Sequence, residues 1–420
     1  MVQTTRRRLA SIGAAILASP AFVRGARAAD AVRIGAIYPL SGATASAGTA
    51  LRNALEVALD IVNNPHPDLA KLPLAAGSGL PGLGGSKVEI IFSDHQGNPA
   101  TAQSQAVRLI SQERVAALTG CYQSSATLTA SAAAERYNIP FVAGEASAPS
   151  LTTRGYKWFF RTTPIGTHFG VAYADFLGLA KQNGIPVNTV AVVNENTEYG
   201  TSVSEAIIKA MQEKGLKISL HIPYSANSSD VSAQVLQLKD TKPDAVVFVS
   251  YTSDSILYMK TMHNLAYKPP VLIGDDSGFS DASFIEAVGD LAEGCINRSS
   301  WDIGKPGSVT SIVNEMFKKR AGHDMDDTSA RGLQGFLVLC DAINRAGSTD
   351  KQKVQAALQA TDLKADQLMI GYDGVKFGAD GQNERAATLL VQLHDKNYIT
   401  VWPEQAAAQP VKLPFQGWSN

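Results

Sequence analysis

The feature that most constrains the fold is a repeated alternation of short apolar segments with longer helical ones. Runs rich in β-branched residues, such as Val32–Tyr38 and Ala245–Ser250, recur along the chain, and a stretch of helix length follows each. Strands that alternate with helices form βαβ units, whose parallel sheets are covered by helices on both faces. The pattern predicts strands at 32–38, 88–92, 115–119, 139–143, 189–193, 220–224, 245–250 and 271–274.

Eight such units exceed one sheet, so we predict an α/β protein with two lobes. The segment RGYKWFFRTTP, residues 154–164, interrupts the alternation after four units and is the expected first crossing between lobes. Later segments predict helices and then two more strands, with further crossings near 295–301 and 371–378. We assign residues 29–158 and 298–372 to a first lobe, and residues 159–297 and 373–420 to a second.

Residues 1–28 have the composition of an export signal. Arg6-Arg7-Arg8 precedes an apolar stretch and an Ala26-Arg27-Ala28 cleavage site, and TRRRLAS resembles a twin-arginine signal. We therefore expect the mature protein in the periplasm. No run of 18 or more apolar residues follows this segment, so we expect no membrane-spanning helix in the mature chain.

The net charge of the mature chain indicates which partners it can bind. Removing residues 1–28 takes away five arginines and no acidic residue, which changes the formal net charge from −1 to −6. A negative protein is a poor partner for nucleic acid or for an anionic membrane. The three cysteines, Cys121, Cys295 and Cys340, do not suggest a disulfide framework.

Motifs for catalysis or cofactor binding are scarce. The sequence has no GxSxG, HExxH or CxxC motif. A GxGxxG occurs at Gly77, Gly79 and Gly82, but it lies in a loop rich in Pro and Gly and precedes a strand, whereas the dinucleotide fingerprint follows a strand and opens a helix. We predict no enzyme activity, no cofactor and no metal site. A Rossmann-type dehydrogenase is the alternative, which a nicotinamide titration would test.

The stretch GCYQSSAT, residues 120–127, lies between a predicted strand and a predicted helix. It brings Tyr122, Ser124 and Ser125 to the helix start. Ser124 has two interpretations: its hydroxyl caps the helix, or it binds an anion together with the free N–H groups and the helix dipole.

Ligands of open α/β sheets bind outside the carboxyl ends of the strands, and polar or aromatic residues follow most of the predicted strands. If the lobes face each other, these residues converge on one cleft. Hydroxyls suit a carboxylate, an aspartate suits an ammonium, and aromatic rings form the walls, so the set suits a small zwitterion. Arg331, on a predicted helix, is expected at the surface. The candidate site residues are Tyr122, Ser124, Ser125, Glu145, Ala146, Ser147, Tyr199, Tyr251, Asp276 and Trp301.

Several stretches together resemble a known family, the solute-binding proteins of ABC importers of the leucine/isoleucine/valine-binding type. They are IGAIYPLSGATASAGTALRNALEVALDIVN, NPATAQSQAVRLISQERVAALTGCYQSSAT, PFVAGEASAPSLTTRGYKWFFRTTP and NENTEYG. The resemblance covers essentially the whole chain after the signal. It implies the type I periplasmic binding fold, with two Rossmann-like lobes, a hinge of three segments and closure on ligand. It also implies a monomer whose partners are an ABC permease and its ATPase in the inner membrane.

The resemblance further implies roles for individual residues. It assigns Ser124 and Ser147 to the ligand carboxylate, and the backbone carbonyl of Ala146 with the carboxylate of Asp276 to the ammonium. The second lobe would add contacts from Tyr199 and Tyr251.

The sequence departs from the family where Glu145 replaces a usual glycine and Ala47 replaces an aromatic residue. From Glu145 we expect a bias toward polar or cationic ligands. Two alternatives within the class remain. One is a carrier of aromatic or other organic acids, which would not need Asp276. The other is a sensor of the same fold.

Export can be tested at the predicted signal. N-terminal sequencing of protein from the periplasmic fraction should begin at Ala29, because the cleavage motif ends at Ala28. Replacing both Arg6 and Arg7 with lysine should block export by the twin-arginine route. Continued export of this double variant would favour the general secretory route, and retention of residues 1–28 in a cytoplasmic pool would contradict export.

Overall fold

The computed structural model describes residues 1–2 and 30–418. Nearly all of the predicted signal segment lies outside the described residues, so its role stays a prediction. The strands are β1 (Val32–Tyr38), β2 (Val88–Asp94), β3 (Ala117–Gly120), β4 (Phe141–Ala143), β5 (Phe159–Arg161), β6 (Thr189–Glu195), β7 (Lys217–Tyr224), β8 (Ala245–Val249), β9 (Val271–Asp275), β10 (Ile296–Ser299), β11 (Asp362–Lys364), β12 (Gly374–Lys376), β13 (Leu389–His394) and β14 (Asn397–Trp402).

Helices follow most of these strands. The α-helices are α1 (Ala45–Asn63), α2 (Pro99–Ser111), α3 (Ser124–Arg136), α4 (Gly166–Gln182), α5 (Glu198–Glu213), α6 (Ser232–Thr241), α7 (Thr252–Asn264), α8 (Ser277–Ser280), α9 (Ala282–Val288), α10 (Val309–Ala321), α11 (Asp327–Ala346) and α12 (Lys351–Gln359). Short 3-10 helices span Pro67–Leu69, Pro81–Leu83, Pro149–Thr152, Gly289–Ala292 and Ala365–Gln367.

The first sheet has five strands, all parallel, in the order β2-β1-β3-β4-β5. Alternate residues of β1 belong to different cores. Ile34 and Ala36 pack in the core that contains the buried faces of α1 and α11, whereas Ile37 packs with residues of α2 and α3. Because helices cover both faces, the strand reads as a continuous apolar run.

The second sheet has seven strands in the order β14-β13-β10-β9-β8-β6-β7. The five strands from β10 to β7 are parallel. The β13–β14 hairpin adds two antiparallel strands at one edge. Its turn residues, Asp395 and Lys396, both have positive φ, which is the geometry of a two-residue hairpin turn whose twist matches that of the strands.

Local signals in the sequence set several helix ends. Asn98 caps α2 by accepting hydrogen bonds from Ala100 N and Thr101 N, and Pro99 occupies the first helical position. Asp326 caps α11 through Ser329 N, and Gly347, with φ of 56°, ends that helix in the left-handed conformation.

Strand pairing confirms two α/β lobes but corrects the predicted boundaries. Residues from 159 onward were assigned to the second lobe, yet β5 pairs with β4 in the first sheet. Gln382 still bridges Arg161 there, so the last crossing comes later than residue 373. The boundary between 297 and 298 cuts β10, which belongs wholly to the second sheet. Both β5 and β10 lie in segments that the sequence predicts as crossings, and only strand pairing shows which sheet each one joins.

The remaining features of the fold concern its cysteines and the apolar length of its helices. Cys121, Cys295 and Cys340 are all buried and free. No helix among the described residues is long and apolar enough to cross a membrane.

Hydrogen bonds between side chains join the lobes across the cleft, and two of them involve serine donors of the first lobe. Ser46 Oγ, on α1 in the first lobe, donates to Asp281 Oδ2 of the second lobe over 2.8 Å. Ser150 Oγ, in a 3-10 helix of the first lobe, donates to Glu198 at the start of α5. The structure therefore has its lobes in contact.

Opening of the cleft must break these two bonds. The Ser46→Ala, Ser150→Ala double variant removes both donors. At about 1 kcal/mol per bond, it should raise the population of the open form by more than about tenfold. Small-angle scattering of the solute-loaded protein should then give a larger radius of gyration than for the native chain. The control Ser111→Ala removes a hydroxyl that bonds only within α2. An unchanged radius of gyration in the double variant would mean that other contacts hold the lobes together.

Candidate functional site

The first lobe contributes the junction of β3 and α3. Tyr122 has a φ of 70° between the two elements, and Ser124 is the first residue of α3 rather than its cap. Ser124 is buried, and its hydroxyl accepts a hydrogen bond from Ala148 N over 3.3 Å. The capping interpretation of Ser124 is therefore wrong. Its hydroxyl points to the loop after β4, beside the N–H groups of the helix start.

The loop after β4 brings Ala146 and Ser147 next to Ser124. Ser147 is buried, and its Oγ has no hydrogen-bond partner among the described residues. The Ala146 carbonyl already accepts from Arg161 Nη1 over 3.2 Å. Burial lowers the pKa of Arg161 to about 9. The carbonyl that the resemblance assigns to a ligand ammonium thus already has one cationic partner.

Glu145 lies beneath this loop and not at the rim of the cleft. It is 1 % exposed, and Tyr38 OH donates to its Oε1 over 2.8 Å. Burial raises the pKa of Glu145 to about 7, although Tyr38 and Arg331 act in the opposite direction. A Cβ on Gly332 would lie 2.6 Å from Glu145 Oε1, so α11 can approach this carboxyl because it carries a glycine there.

The tyrosines of the two lobes meet across the cleft. The ring centroid of Tyr122, from the first lobe, lies 5.8 Å from that of Tyr251, and Tyr251 lies 5.2 Å from Tyr199. Tyr199 OH donates to the carbonyl and to Oδ2 of Asp275, and Tyr173 OH donates to Oδ1 of Asp275 over 2.7 Å. Asp275 is therefore held by phenols of its own lobe, and its pKa is raised, first by burial.

Asp276 belongs to a network of buried charges, which we call the Arg298 network. Arg298 pairs with Asp275, Asp276 and Asp327 at 3.0, 2.5 and 3.2 Å. Arg331 pairs with Asp276 and, over 2.8 Å, with Asp327. Three carboxylates face two guanidiniums, which leaves an excess of one negative charge. Burial opposes the charge on both guanidiniums, but the carboxylates outweigh it and raise the pKa of each.

The sequence missed both arginines of this network. Arg331 was expected at the surface, but it is fully buried because α11 packs between the lobes, where its Nη1 also donates to the Glu145 carbonyl. Arg298 was not singled out. Its guanidinium carbon lies 4.0 Å from the ring centroid of Phe169, a cation–π contact. An arginine that follows an apolar strand start at Ile296 was the one signal available.

Two predicted site residues lie apart from the others. Ser125 is half-buried on α3 and has no described hydrogen bond. Trp301 is buried on the second crossing, and its Nε1 donates to Met325 O over 2.9 Å. Trp301 lines a cavity whose lining includes Arg298 and Asp327 of the Arg298 network but none of the three tyrosines. The structure brings the remaining candidates together around one cleft.

The two walls of this cleft differ in electrostatic character. The first lobe offers the start of α3, with its free N–H groups, and the hydroxyls of Ser124 and Ser147, which suit a carboxylate. The second lobe offers tyrosines and the negative excess of the Arg298 network, which suit a cation. Among the described residues, no three His, Cys, Asp or Glu side chains are placed to hold a metal ion.

Comparisons with known proteins identify related chains. The profile of a family described as periplasmic binding protein matches residues 31–396. The chain is 31 % identical over 408 residues to the Leu/Ile/Val-binding protein homolog 7 of Brucella suis biovar 1 (strain 1330), covering 95 % of this chain and 98 % of that one.

Solved structures show the same fold. The branched-chain amino acid transporter substrate-binding protein LivJ of Streptococcus pneumoniae, in complex with isoleucine, has a TM-score of 0.73 at 17 % identity, over 88 % of this chain and 98 % of that one. A solute-binding protein of an ABC transporter from R. palustris, in complex with benzoate, has a TM-score of 0.74 at 17 % identity, over 91 % and 97 %. At these identities the likeness concerns the fold alone.

The buried carboxyl of Glu145 should make stability depend on pH. Its folded pKa of about 7 exceeds the ordinary value of 4.5, so the folded state holds a proton that the unfolded state has lost between these pH values. Stability should therefore fall as pH rises through this window, by about 3 kcal/mol at most. Glu145→Gln keeps the acceptor for Tyr38 and should flatten this fall.

Thermal unfolding at about pH 5 and pH 8 measures the effect. The variant should exceed the native chain in melting temperature at the higher pH and match it at the lower. Glu213→Gln changes an exposed carboxylate on α5 and serves as the control. Equal melting temperatures for the native chain and Glu145→Gln at both pH values would mean that ionising Glu145 does not lower the stability of the folded state.

Proposed function

Because this chain belongs to the periplasmic binding protein family, we propose that it binds an amino acid or an amide-like polar solute between its lobes and delivers it to an ABC permease. The predicted family and the predicted type I periplasmic binding fold are confirmed. The permease and its ATPase, the monomeric state, the twin-arginine route and the lack of enzyme activity belong to the proposal.

The observation that carries the choice of ligand is the opposite character of the two cleft walls. A free Ser147 hydroxyl, Ser124 and the start of α3 lie on one wall, and the negative excess of the Arg298 network lies on the other. An amino acid carries its carboxylate and ammonium at opposite sides of one carbon. A ligand between the walls can therefore satisfy both at once, and the tyrosines can exclude water from it.

In this proposal, Asp276 does not form a simple ion pair with the ligand. Because Arg298 and Arg331 both contact its carboxylate, the ligand ammonium interacts with a network and not with one free charge. Neutralising Asp276 would leave two guanidiniums with two carboxylates, Asp275 and Asp327. The attraction for a cation would then disappear while the arginines keep partners.

An organic-acid carrier is the second candidate, and a specific observation favours it. The carboxylate wall is complete without Asp276, and the ABC transporter protein of R. palustris with the same fold was solved with benzoate. Such a ligand has no ammonium and would be repelled by the negative excess. The relative named for Leu, Ile and Val supports the amino acid instead.

Two variants distinguish these ligands. The solute released from purified protein is identified by mass spectrometry and titrated calorimetrically. For an amino acid, Asp276→Asn should weaken binding by about two decades, since an uncompensated buried charge costs about 3 kcal/mol. Ser124→Ala should weaken it by one to two decades, as for a hydroxyl bonded to a charged group at roughly 1.5–3 kcal/mol.

For an organic acid the outcome reverses at one position. Asp276→Asn should then bind as well as the native chain or better, while Ser124→Ala still loses affinity. Ser104→Ala, which removes a hydroxyl bonded within α2, is the matched control. If Ser124→Ala binds the released solute with full affinity, the proposed carboxylate site is wrong for both ligand classes. Circular dichroism verifies that each variant is folded.

A further inference from the structure

A cavity of about 550 Å³, which we call the hinge cavity, is lined by Arg298 and Asp327 of the Arg298 network but by none of the tyrosines or serines of the cleft. The second lobe lines it with α8, α9 and the β13–β14 turn, and the first lobe lines it with the junction of α10 and α11. Trp301, on the second crossing, forms part of the wall. This volume falls in the range of sites for small organic molecules.

Part of the wall is apolar. Ile285 and Tyr398 line it from the second lobe, and Trp301 and Ile303 line it from the crossing. Ile303 is 36 % exposed, one of the few large apolar side chains of the described chain that lies so open to solvent. The indole N–H of Trp301 is already bonded to Met325 O, so the ring offers apolar surface without an unmet donor.

Three acidic residues of the wall have no ion-pair partner among the described residues. Glu286, Asp302 and Asp326 line the hinge cavity, and none of the three is in an ion pair with a described Lys, Arg or His. Arg298 also lines it, but three aspartates already surround its guanidinium. The other basic residues of the wall are His323, whose Nδ1 lies 2.9 Å from Asp324 O, and Lys396, which is exposed at the hairpin turn.

Burial also affects the ionisation of Asp326. Burial, and then the neighbouring Asp281, raise the pKa of Asp326 to about 6. The N–H of Ser329 acts in the opposite direction but does not offset them. A cation in the hinge cavity would stabilise the ionised form.

Two buried acceptors in the wall also have no partner. Asn297 is fully buried, and its Oδ1 makes no hydrogen bond among the described residues. Its amide cannot simply turn round, because Nδ2 donates to Asp276 O over 3.0 Å. Ser280 Oγ, 9 % exposed, is likewise unpartnered. Buried polar atoms in native proteins are seldom left unsatisfied, so each points to a donor that is supplied from elsewhere.

We propose that the hinge cavity is a second binding site, and that it takes an organic cation with an apolar part, such as an arylalkyl ammonium. The ammonium donates to Asn297 Oδ1 and lies within the field of Asp326, Asp302 and Glu286. The apolar part packs on Trp301 and Ile303. This site does not depend on which solute occupies the cleft, because the Arg298 network separates the two.

Three probes of one shape test the charge requirement. Benzylamine, benzyl alcohol and benzoate share the ring and differ in charge, and each is titrated into the full-length mature chain at low salt with its native solute bound. Benzylamine should bind saturably with one site per chain. Benzyl alcohol should bind at least tenfold more weakly, and benzoate should not bind. Equal affinities for benzylamine and benzyl alcohol would overturn the proposal.

Matched variants then locate the site. Asp326→Asn keeps a good N-cap for α11 and removes the charge, so it should weaken benzylamine binding about tenfold or more. Asp350→Asn makes the same change at the N-cap of α12, outside the hinge cavity, and should bind like the native chain. Ile303→Trp, at an exposed position, should block entry.

Each other outcome counts against the proposal. Native affinity in Asp326→Asn, or an equal loss in Asp350→Asn, would mean general attraction to an acidic protein. Loss of benzylamine binding in Ser124→Ala, or displacement of the native solute by benzylamine, would place the probe in the cleft. Since those two results concern the cleft and the first two do not, failure of this site is distinguishable from failure of the proposed function.

Discussion

The structure depends on the burial of two guanidinium groups, Arg298 and Arg331, both fully enclosed. An isolated buried charge costs several kcal/mol, so each must meet carboxylates of good geometry. Those carboxylates come from the end of β9 in the second lobe and from the start of α11 in the first. The position of one lobe relative to the other is therefore tied to the pairing of charges.

This network also shapes the cleft. Its negative excess faces a wall of hydroxyls and N–H groups on the first lobe, and tyrosines from both lobes lie between. Asp276 has both a structural and a binding role, because the carboxylate proposed to attract the ligand is the one that neutralises two arginines. Glu145, buried close to Arg331 and bonded to Tyr38, adds charge only when the pH exceeds its raised pKa.

Close approach of backbones makes the network possible. A Cβ on Gly144 would lie 2.7 Å from the Arg331 carbonyl, and one on Gly335 would lie 3.1 Å from Gly144 Cα. Glycines at these positions let α11 pack directly on the loop after β4. Arg331 can then donate to the Glu145 carbonyl and still reach Asp276. A larger residue at Gly144 would displace the helix and separate these partners.

The sequence by itself determined the alternation of strands and helices and the division into two lobes, and it predicted which residues lie at the cleft. These follow from local periodicity and from the rule that polar residues after parallel strands share one edge. Tertiary structure alone decided that β5 and β10 are strands and which sheets they join, since both lie in segments that the sequence predicts as crossings. It also decided that Trp301 lines another cavity and that Arg298 and Arg331 share Asp276. Such pairings join residues far apart in the chain, and they exist because buried charges must find partners wherever packing places them.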